Sequence, residues 1–262
     1  MTQQPASDMS FEAGAATALV DLRCGGRLSS LRVDGLDLLA HNGDAPTQWG
    51  CFVMAPFAGR LDRGLLRIDG TDHQLPLTAA PHAMHGTVVE APAVAVDAAT
   101  VRMDLGPVWP VAGHVLHRVE LSEDRLTLRL EVHSDDRSFP ASCGWHPWFP
   151  RRLGGADVEI TLSATSMLAR GADGLPDGRR ITPPPSGPWD DCFEGITAPT
   201  VLEWPGVLRL RIDSDADYLV VYDEQADAVC VEPQTAPPDD LAFTVEPGHP
   251  LVTTTTWHWE RP

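Results

Sequence analysis

Apolar and polar residues alternate one by one along much of the chain. The clearest run covers residues 126–132, where leucine and valine side chains alternate with polar ones. A period of two places one row of side chains in a core and the other row in water, which is the pattern of a half-buried β-strand. Residues 115–121 follow the same pattern. The polar residues Ser122, Glu123 and Asp124 between the two runs predict a hairpin.

Seven further segments alternate in the same way and are predicted to be strands. They are residues 19–23, 28–33, 66–68, 158–162, 208–212, 218–222 and 251–259. The sequence has no amphipathic segment long enough to form the helices that connect parallel strands. We therefore predict an all-β fold, a large antiparallel β-sandwich or a barrel. Since no repeat or linker divides the chain, residues 1–262 are expected to form a single domain.

One long stretch, residues 170–195, lacks any alternation. It contains five prolines and five glycines, and a loop of that length inside a compact domain is usually functional or mobile. The segment ends in the sequence W-D-D-C-F at 189–193, which is too specific for a simple linker.

The charge of the chain limits its partners and its chemistry. Its 262 residues carry 37 acidic and 19 basic side chains, a formal net charge of −18. Such a surface repels phosphate backbones and anionic lipids, so neither nucleic acid nor a membrane is an expected partner. All the basic residues are arginine. That excludes a Schiff-base lysine, a pyridoxal phosphate aldimine and the lysine of a P-loop.

The cysteines and the N-terminal segment indicate in which cellular compartment the protein is expected. The five cysteines are scattered and include no C-x-x-C pair, so we expect neither a disulfide framework nor a zinc knuckle, and a reducing environment fits. Residues 1–10 lack the features of a signal peptide, and no run reaches the roughly 18 apolar residues of a membrane span. A soluble, cytoplasmic protein is expected.

Two clusters in the first third of the chain carry candidate chemistry. The run 49–60 is apolar, contains a proline and ends in Arg60, whose guanidinium could hold ligand oxygens or form a structural ion pair. The second cluster, 82–86, spaces His82 and His85 as H-x-x-H. Two imidazoles on one turn could share a metal ion, but the helical H-E-x-x-H context is absent, and Pro81 and Gly86 indicate a loop.

Two later clusters also place titratable groups among apolar residues. In the segment 144–150, Pro147 restricts His146 to extended conformations between Trp145 and Trp148. Indole faces stack on sugar rings and histidine exchanges a proton near neutral pH, although a core aromatic cluster would look the same. In the segment 229–235, Glu232 follows an apolar run, so it could be a base or a salt-bridge partner.

Taken in order, these clusters resemble the aldose 1-epimerase (galactose mutarotase) family over nearly the whole chain. The matching pieces are G-C-F-V-M-A-P-F-A-G-R at 50–60, H-A-M-H-G at 82–86, G-W-H-P-W-F at 144–149, D-D-C-F at 190–193 and V-E-P-Q-T at 231–235. The resemblance implies a large antiparallel β-sandwich with the sugar site on a concave face. It also implies interconversion of the α and β anomers of a free aldose without cofactor or metal.

The resemblance also implies roles for individual residues. Glu232 corresponds to the general base that removes the proton of the C1 hydroxyl, and His146 to the general acid that protonates the ring oxygen. His85, Arg60 and Asp190 correspond to residues that hydrogen-bond the sugar, with His85 also near the ring oxygen. This chemistry works with ordinary pKa values of about 4.3 for Glu and about 6.5 for His, which are therefore expected.

Three positions leave the substrate contacts open. Asp191 competes with Asp190 for the role of the inward carboxylate. Gly59 stands where many family members have Asn, and Val220 stands where some have Gln, so the contacts that select the sugar differ from the family pattern at these positions.

Three alternatives to a free-hexose epimerase remain at this stage. A hexose 6-phosphate epimerase would need cations such as the arginine pairs at 151–152 and 179–180. A sugar-binding protein without catalysis would not need both an acid and a base. A metal-dependent enzyme would use His82, His85 and His146, and a chelator would inactivate it. The expected partner is a small sugar, and the protein is expected to be a monomer or homodimer.

Overall fold

The computed structural model describes residues 8–41 and 43–261. In this part of the chain, strands form two large sheets and four two-stranded ones, and the single helical element is a 3-10 turn, Asp62–Gly64. No described helix has the length and apolar character needed to cross a membrane. Most of the N-terminal segment considered above for a targeting signal, residues 1–7, lies outside the described residues.

The strands are short and follow one another closely along the chain. In chain order they are β1 (Asp8–Ala13), β2 (Ala16–Asp21), β3 (Arg27–Val33), β4 (Leu36–Asp37), β5 (Cys51–Met54), β6 (Arg60–Leu61), β7 (Leu65–Ile68), β8 (Thr71–Gln74), β9 (Ala83–Met84), β10 (Ala93–Ala95), β11 (Thr100–Asp104), β12 (Gly113–Leu121), β13 (Arg125–Ser134), β14 (Phe139–Ala141), β15 (Gly144–Pro150), β16 (Arg152–Leu153), β17 (Ala156–Asp157), β18 (Glu159–Thr161), β19 (Ala164–Arg170), β20 (Pro176–Ile181), β21 (Asp190–Ile196), β22 (Thr200–Trp204), β23 (Leu208–Ser214), β24 (Tyr218–Tyr222), β25 (Ala228–Gln234), β26 (Phe243–Val245) and β27 (Leu251–Glu260). Each segment predicted to be a strand overlaps one of these.

Pairing within both large sheets is antiparallel, as the alternation predicted. The first sheet has eleven strands in the spatial order β1-β2-β3-β5-β15-β25-β24-β21-β19-β20, with β4 paired to β3. The second sheet has eight strands in the order β10-β11-β12-β13-β27-β23-β22-β18. The predicted hairpin is β12 and β13, in which Leu121 lies opposite Leu126.

The two large sheets pack face to face around the main core. Phe149 on β15 of the first sheet contacts Trp257 on β27 of the second, with ring centroids 5.1 Å apart. Trp145 on β15 donates a hydrogen bond from Nε1 to Nε2 of His117 on β12, at 3.3 Å. The alternating apolar residues of β13 are fully buried in the same core. The predicted β-sandwich is therefore confirmed.

The central strands of the first sheet are buried on both faces. On β25, Val229 and Val231 pack in the main core, whereas Cys230 packs with Phe52 and Trp148 in a smaller cluster on the other face. A strand that is covered on both faces has no wet row of side chains, so these strands carry no polar alternation. The smaller cluster lies on the face that carries the polar residues described below.

The prediction of one irregular stretch over residues 170–195 is wrong, because the stretch contains β20 and most of β21. β20 lies at the edge of the first sheet and exposes nearly all of its residues, so no buried row reveals it. β21 lies inside the sheet between β24 and β19 and begins at Asp190.

Candidate functional site

A cavity of about 350 Å³ lies on the face of the first sheet that points away from the main core. Its lining includes all five residues that the sequence singled out, from positions far apart in the chain: Arg60, His85, His146, Asp190 and Glu232. The volume falls in the range of pockets that hold small molecules. The fold therefore brings these five residues to one cavity.

Two adjacent strands place Glu232 and His146 directly against each other. The register that pairs Trp148 on β15 with Cys230 on β25 also places His146 opposite Glu232. Side chains of an antiparallel pair that lie opposite each other share one face of the sheet. Nε2 of His146 and Oε1 of Glu232 are 3.2 Å apart, and the two side chains are only 8% and 4% exposed.

Aromatic rings hold the imidazole of His146 in place. Phe52 stacks on it with ring centroids 4.5 Å apart, and Trp148 stacks on it at 5.3 Å. The ring of His85 meets it edge-on at 5.1 Å. Trp145 does not take part, because neighbouring residues of a strand point to opposite faces and its side chain lies in the main core. Only one of the two expected indoles therefore lines the cavity.

Burial shifts the proton affinities of Glu232 and His146 in opposite directions. It raises the pKa of Glu232 well above 4.5, as does the charge of Asp190, while Arg60 opposes the shift. Burial also lowers the pKa of His146 well below 6.5, with a further contribution from His85. The expectation of ordinary pKa values is therefore wrong, because the sequence did not show how deeply the pair is buried. The site favours an uncharged pair that holds one proton.

An unusual backbone conformation presents His85 to the cavity. His85 has a φ of 63°, and Gly86 after it has a φ of 81°. A Cβ at Gly86 would lie 1.9 Å from the carbonyl oxygen of Ala55, so only glycine fits there. The amide of His85 donates to the carbonyl oxygen of Gly59 at 2.8 Å. Burial and the charge of Arg60 lower the pKa of His85 to about 3, so its imidazole is neutral at pH 7.

Arg60 supplies a positive charge beside His85. β6 pairs with β9 so that Arg60 lies opposite Met84, the residue before His85. The guanidinium of Arg60 forms no ion pair with any described carboxylate, whereas Arg170 on the same cavity pairs with both Asp190 and Asp191. The hydrogen-bond donors of Arg60 are therefore available to a ligand.

The strand register distinguishes Asp190 from Asp191. β24 pairs with both β21 and β25, and Val220 lies opposite Cys192 on one side and opposite Glu232 on the other. Asp190 is two residues before Cys192 and so shares the face of Glu232. Its charge contributes to the raised pKa of Glu232. Asp190 therefore shares the face of Glu232, and Asp191 lines the same cavity.

The two histidines of the H-x-x-H sequence do not form a metal site with each other. Nδ1 of His82 accepts a hydrogen bond from the amide of Arg63 at 3.1 Å, and its Nε2 lies 3.1 Å from the carbonyl oxygen of Asp173. Both ring nitrogens of His82 are thus occupied by the protein's own backbone. The metal-dependent alternative that combined His82 with His85 and His146 has no geometric support.

A different group among the described residues could hold a metal ion. It consists of His146, Cys230 and Glu232, whose donor atoms all lie within 4.8 Å of one another. Sequence reasoning missed Cys230 because its place beside the acid and the base follows only from the pairing of β15 with β25. It also missed Arg170, which no matching motif contains.

The fold agrees with the family resemblance drawn from the sequence motifs, and a family comparison tests that resemblance directly. A model of the family described as aldose 1-epimerase matches residues 9–250, and the chain therefore belongs to the aldose 1-epimerase family. No curated protein matches the chain at a significant level.

Solved structures with the same fold come from several bacteria. A galactose 1-epimerase from Lactobacillus acidophilus is 21% identical, with 96% of this chain and 93% of that one covered and a TM-score of 0.77. A galactose mutarotase-like protein from Clostridium acetobutylicum is 17% identical, with 97% and 95% covered and a TM-score of 0.81. Another from Lactobacillus casei is 18% identical, with 97% and 100% covered and a TM-score of 0.77. At these identities the likeness establishes the fold.

Proposed function

We propose that the protein is an aldose 1-epimerase that interconverts the α and β anomers of a free hexose without a cofactor. The observation that carries the proposal is the contact between His146 and Glu232 at 3.2 Å beside a cavity of sugar size. A carboxylate and an imidazole on adjacent strands can act on two neighbouring oxygens of one small molecule. The C1 hydroxyl and the ring oxygen of an aldose are such a pair, because both are bonded to C1.

The reaction moves one proton onto the protein and one proton off it. Glu232 takes the proton of the C1 hydroxyl as the C1 carbonyl forms. The bond between C1 and the ring oxygen breaks, and the ring oxygen takes a proton from His146. Rotation about the C1–C2 bond turns the other face of the aldehyde toward the hydroxyl, and the same steps in reverse close the ring.

The buried environment favours the ring-opened stage of this reaction. Ring opening starts once the shared proton has moved across the 3.2 Å contact from Glu232 to His146, and it ends with both groups neutral again. Burial raises the pKa of Glu232 and lowers that of His146, so the neutral pair is the form that the site prefers. General acid and base assistance contributes roughly 10²- to 10⁴-fold for each group.

Three residues around the pair are proposed to hold the sugar. Arg60 offers donors that no described carboxylate occupies, and Asp190 offers acceptors on the same face as Glu232. His85 is neutral, so it can donate or accept one hydrogen bond to a hydroxyl or to the ring oxygen.

The cavity supports a neutral sugar rather than a sugar phosphate. None of the four arginines considered for a phosphate lines it. Arg151 donates to backbone carbonyls, Arg152 pairs with Asp157, and the other two arginines pair with acidic residues near them. The lining contains more carboxylates than arginines. A phosphate would enter an environment of net negative charge.

The direct test is polarimetry of freshly dissolved α-D-glucose and α-D-galactose. The protein should accelerate the relaxation of optical rotation, and Glu232→Gln should abolish the acceleration while sugar binding by calorimetry persists. A variant as active as the wild type would exclude Glu232 as the base. If the wild-type protein binds both sugars without accelerating relaxation, the non-catalytic alternative replaces the proposal.

A further inference from the structure

Cys230 lies beside the proposed acid and base, and that reaction has no use for it. Its Sγ, a ring nitrogen of His146 and a carboxylate oxygen of Glu232 all lie within 4.8 Å of one another. Cys230 itself is fully buried among Phe52, Trp148 and other apolar residues. A thiol, an imidazole and a carboxylate thus converge at one edge of the cavity.

The spacing of these donors suits a tetrahedral metal ion. Zinc binds nitrogen and oxygen ligands at about 2.0–2.2 Å and sulfur at about 2.3 Å. Two such ligands at tetrahedral angles are about 3.3 Å apart for nitrogen and oxygen, and about 3.6 Å apart for nitrogen and sulfur. The observed separation of Nε2 and Oε1, 3.2 Å, already matches the first value. The sulfur has to move by roughly 1.2 Å at most to reach the nitrogen–sulfur distance of about 3.6 Å.

The donor set also selects the kind of metal. Thiolate and imidazole favour zinc and similar borderline or soft ions, whereas magnesium and calcium prefer oxygen ligands only. A divalent ion with one thiolate, one carboxylate and one neutral imidazole forms a complex of zero net charge. A neutral complex suits a buried position better than separate charges do.

We propose that His146, Glu232 and Cys230 form an inhibitory site for a thiophilic divalent cation, with zinc as the fitting ion. The ion enters through the cavity, which His146 and Glu232 line, and its fourth coordination position faces that cavity. Bound zinc occupies the acid and the base together, so neither can exchange a proton with a sugar. The claim that the site binds zinc is based on the donor geometry alone. The claim that zinc inhibits the protein rests on the proposed function.

Cobalt is the probe for binding, because a cobalt–thiolate bond gives a charge-transfer absorption band that nitrogen and oxygen ligands do not give. Metal-free wild-type protein titrated with Co²⁺ should show this band, and saturating galactose should diminish it. Cys230→Ser should lose the band, whereas Cys192→Ser should keep it. Cys192 is the matched control, since it is a buried cysteine that lines the same cavity but is not part of the donor group.

Zinc titrations followed by polarimetry test the inhibition. Each variant is compared with its own rate without metal. Zinc should inhibit the wild type and Cys192→Ser alike, and Cys230→Ser should need at least tenfold more zinc. Equal inhibition of wild type and Cys230→Ser, or Co²⁺ binding without the thiolate band, would overturn the site.

A further variant covers the case in which Cys230→Ser does not fold. Glu232→Gln removes a different ligand, so it should weaken Co²⁺ binding in a spectroscopic titration that needs no turnover. Unchanged Co²⁺ affinity in Glu232→Gln would also refute the site. If the protein proves inactive on sugars but shows the thiolate band, the proposed function fails while the metal site stands.

Discussion

Nε2 of His146 lies 3.2 Å from Oε1 of Glu232, close enough for one proton to be shared between the proposed acid and base. A second proton would leave a net positive charge in a buried place, and loss of the last proton would leave a negative one. Burial opposes both changes. The pair thus titrates as one unit with two apparent pKa values.

The rate of mutarotation should therefore follow a bell-shaped curve with a broad top. The acid limb of kcat/KM should lie below pH 6.5, because burial lowers the pKa of His146 below that value. The alkaline limb should lie well above pH 4.5, because burial raises the pKa of Glu232. Polarimetric kcat/KM across the pH range, corrected for the spontaneous reaction, measures both limbs. An acid limb at or above pH 6.5 would contradict the shared-proton arrangement.

Replacement of His146 should remove turnover and spare binding. In His146→Asn the ring oxygen loses its proton donor, so kcat should fall roughly 10²- to 10⁴-fold. The dissociation constant for the sugar, measured by calorimetry, should change only a few-fold because the other cavity residues remain. His73→Asn is a control in the β7–β8 hairpin, outside both large sheets. A large loss of affinity in His146→Asn would reassign this residue to binding.

Replacement of Arg60 should act mainly on KM. The guanidinium makes no ion pair with a described carboxylate, and a hydrogen bond from a charged donor contributes about 1.5–3 kcal/mol. Arg60→Ala should therefore raise KM roughly 10- to 100-fold with a smaller effect on kcat. Arg63→Ala is the matched control, because Arg63 is exposed and pairs with Asp62. An equal fall in kcat and kcat/KM would instead indicate contacts made only in the transition state.

Glu232→Gln, which removes the buried carboxyl group, should become increasingly more stable than the wild type as the pH rises above 4.5. Above pH 4.5 an unfolded chain ionises this glutamate, whereas folded Glu232, with its raised pKa, keeps its proton. Unfolding then releases a proton, so wild-type stability declines with rising pH until the folded pKa is passed. Glu232→Gln lacks this decline and should gain at most about 1.4 kcal/mol per pH unit relative to the wild type.

Denaturant unfolding at several pH values measures that difference. Glu159→Gln, at an exposed position on β18, is the control and should show no such trend. If the free energies of unfolding of Glu232→Gln and the wild type differ by the same amount at every pH, Glu232 is ionised in the folded protein over the whole range.

The strands that could be predicted from the sequence are those with one buried and one solvent-exposed face. β12 and β13 were predicted with their turn because apolar and polar residues largely alternate along them and polar residues separate them. β15 and β25 have both faces buried, so alternation could not show them, and only the motifs around His146 and Glu232 indicated their importance.

Features of the site that depend on tertiary packing were beyond the sequence. The motif H-x-x-H does not distinguish His82 from His85. In the structure, backbone groups bond to the ring of His82, whereas the positive φ of His85 directs its ring into the cavity. The pKa shifts of Glu232 and His146 also depend on burial, which no local pattern reveals. Cys230 became notable only when strand pairing placed it beside them.

The position of β27 has a consequence for how the protein is made. This strand lies in the second sheet between β13 and β23, although it follows both of them, and every other described strand, along the chain. During synthesis β13 and β23 leave the ribosome before β27, so each has one unpaired hydrogen-bonding edge until β27 is made. Open edges invite pairing with other chains. The second sheet is therefore completed late in synthesis. A chain that ends before residue 251 would leave the edges of β13 and β23 unpaired and prone to pair with other chains.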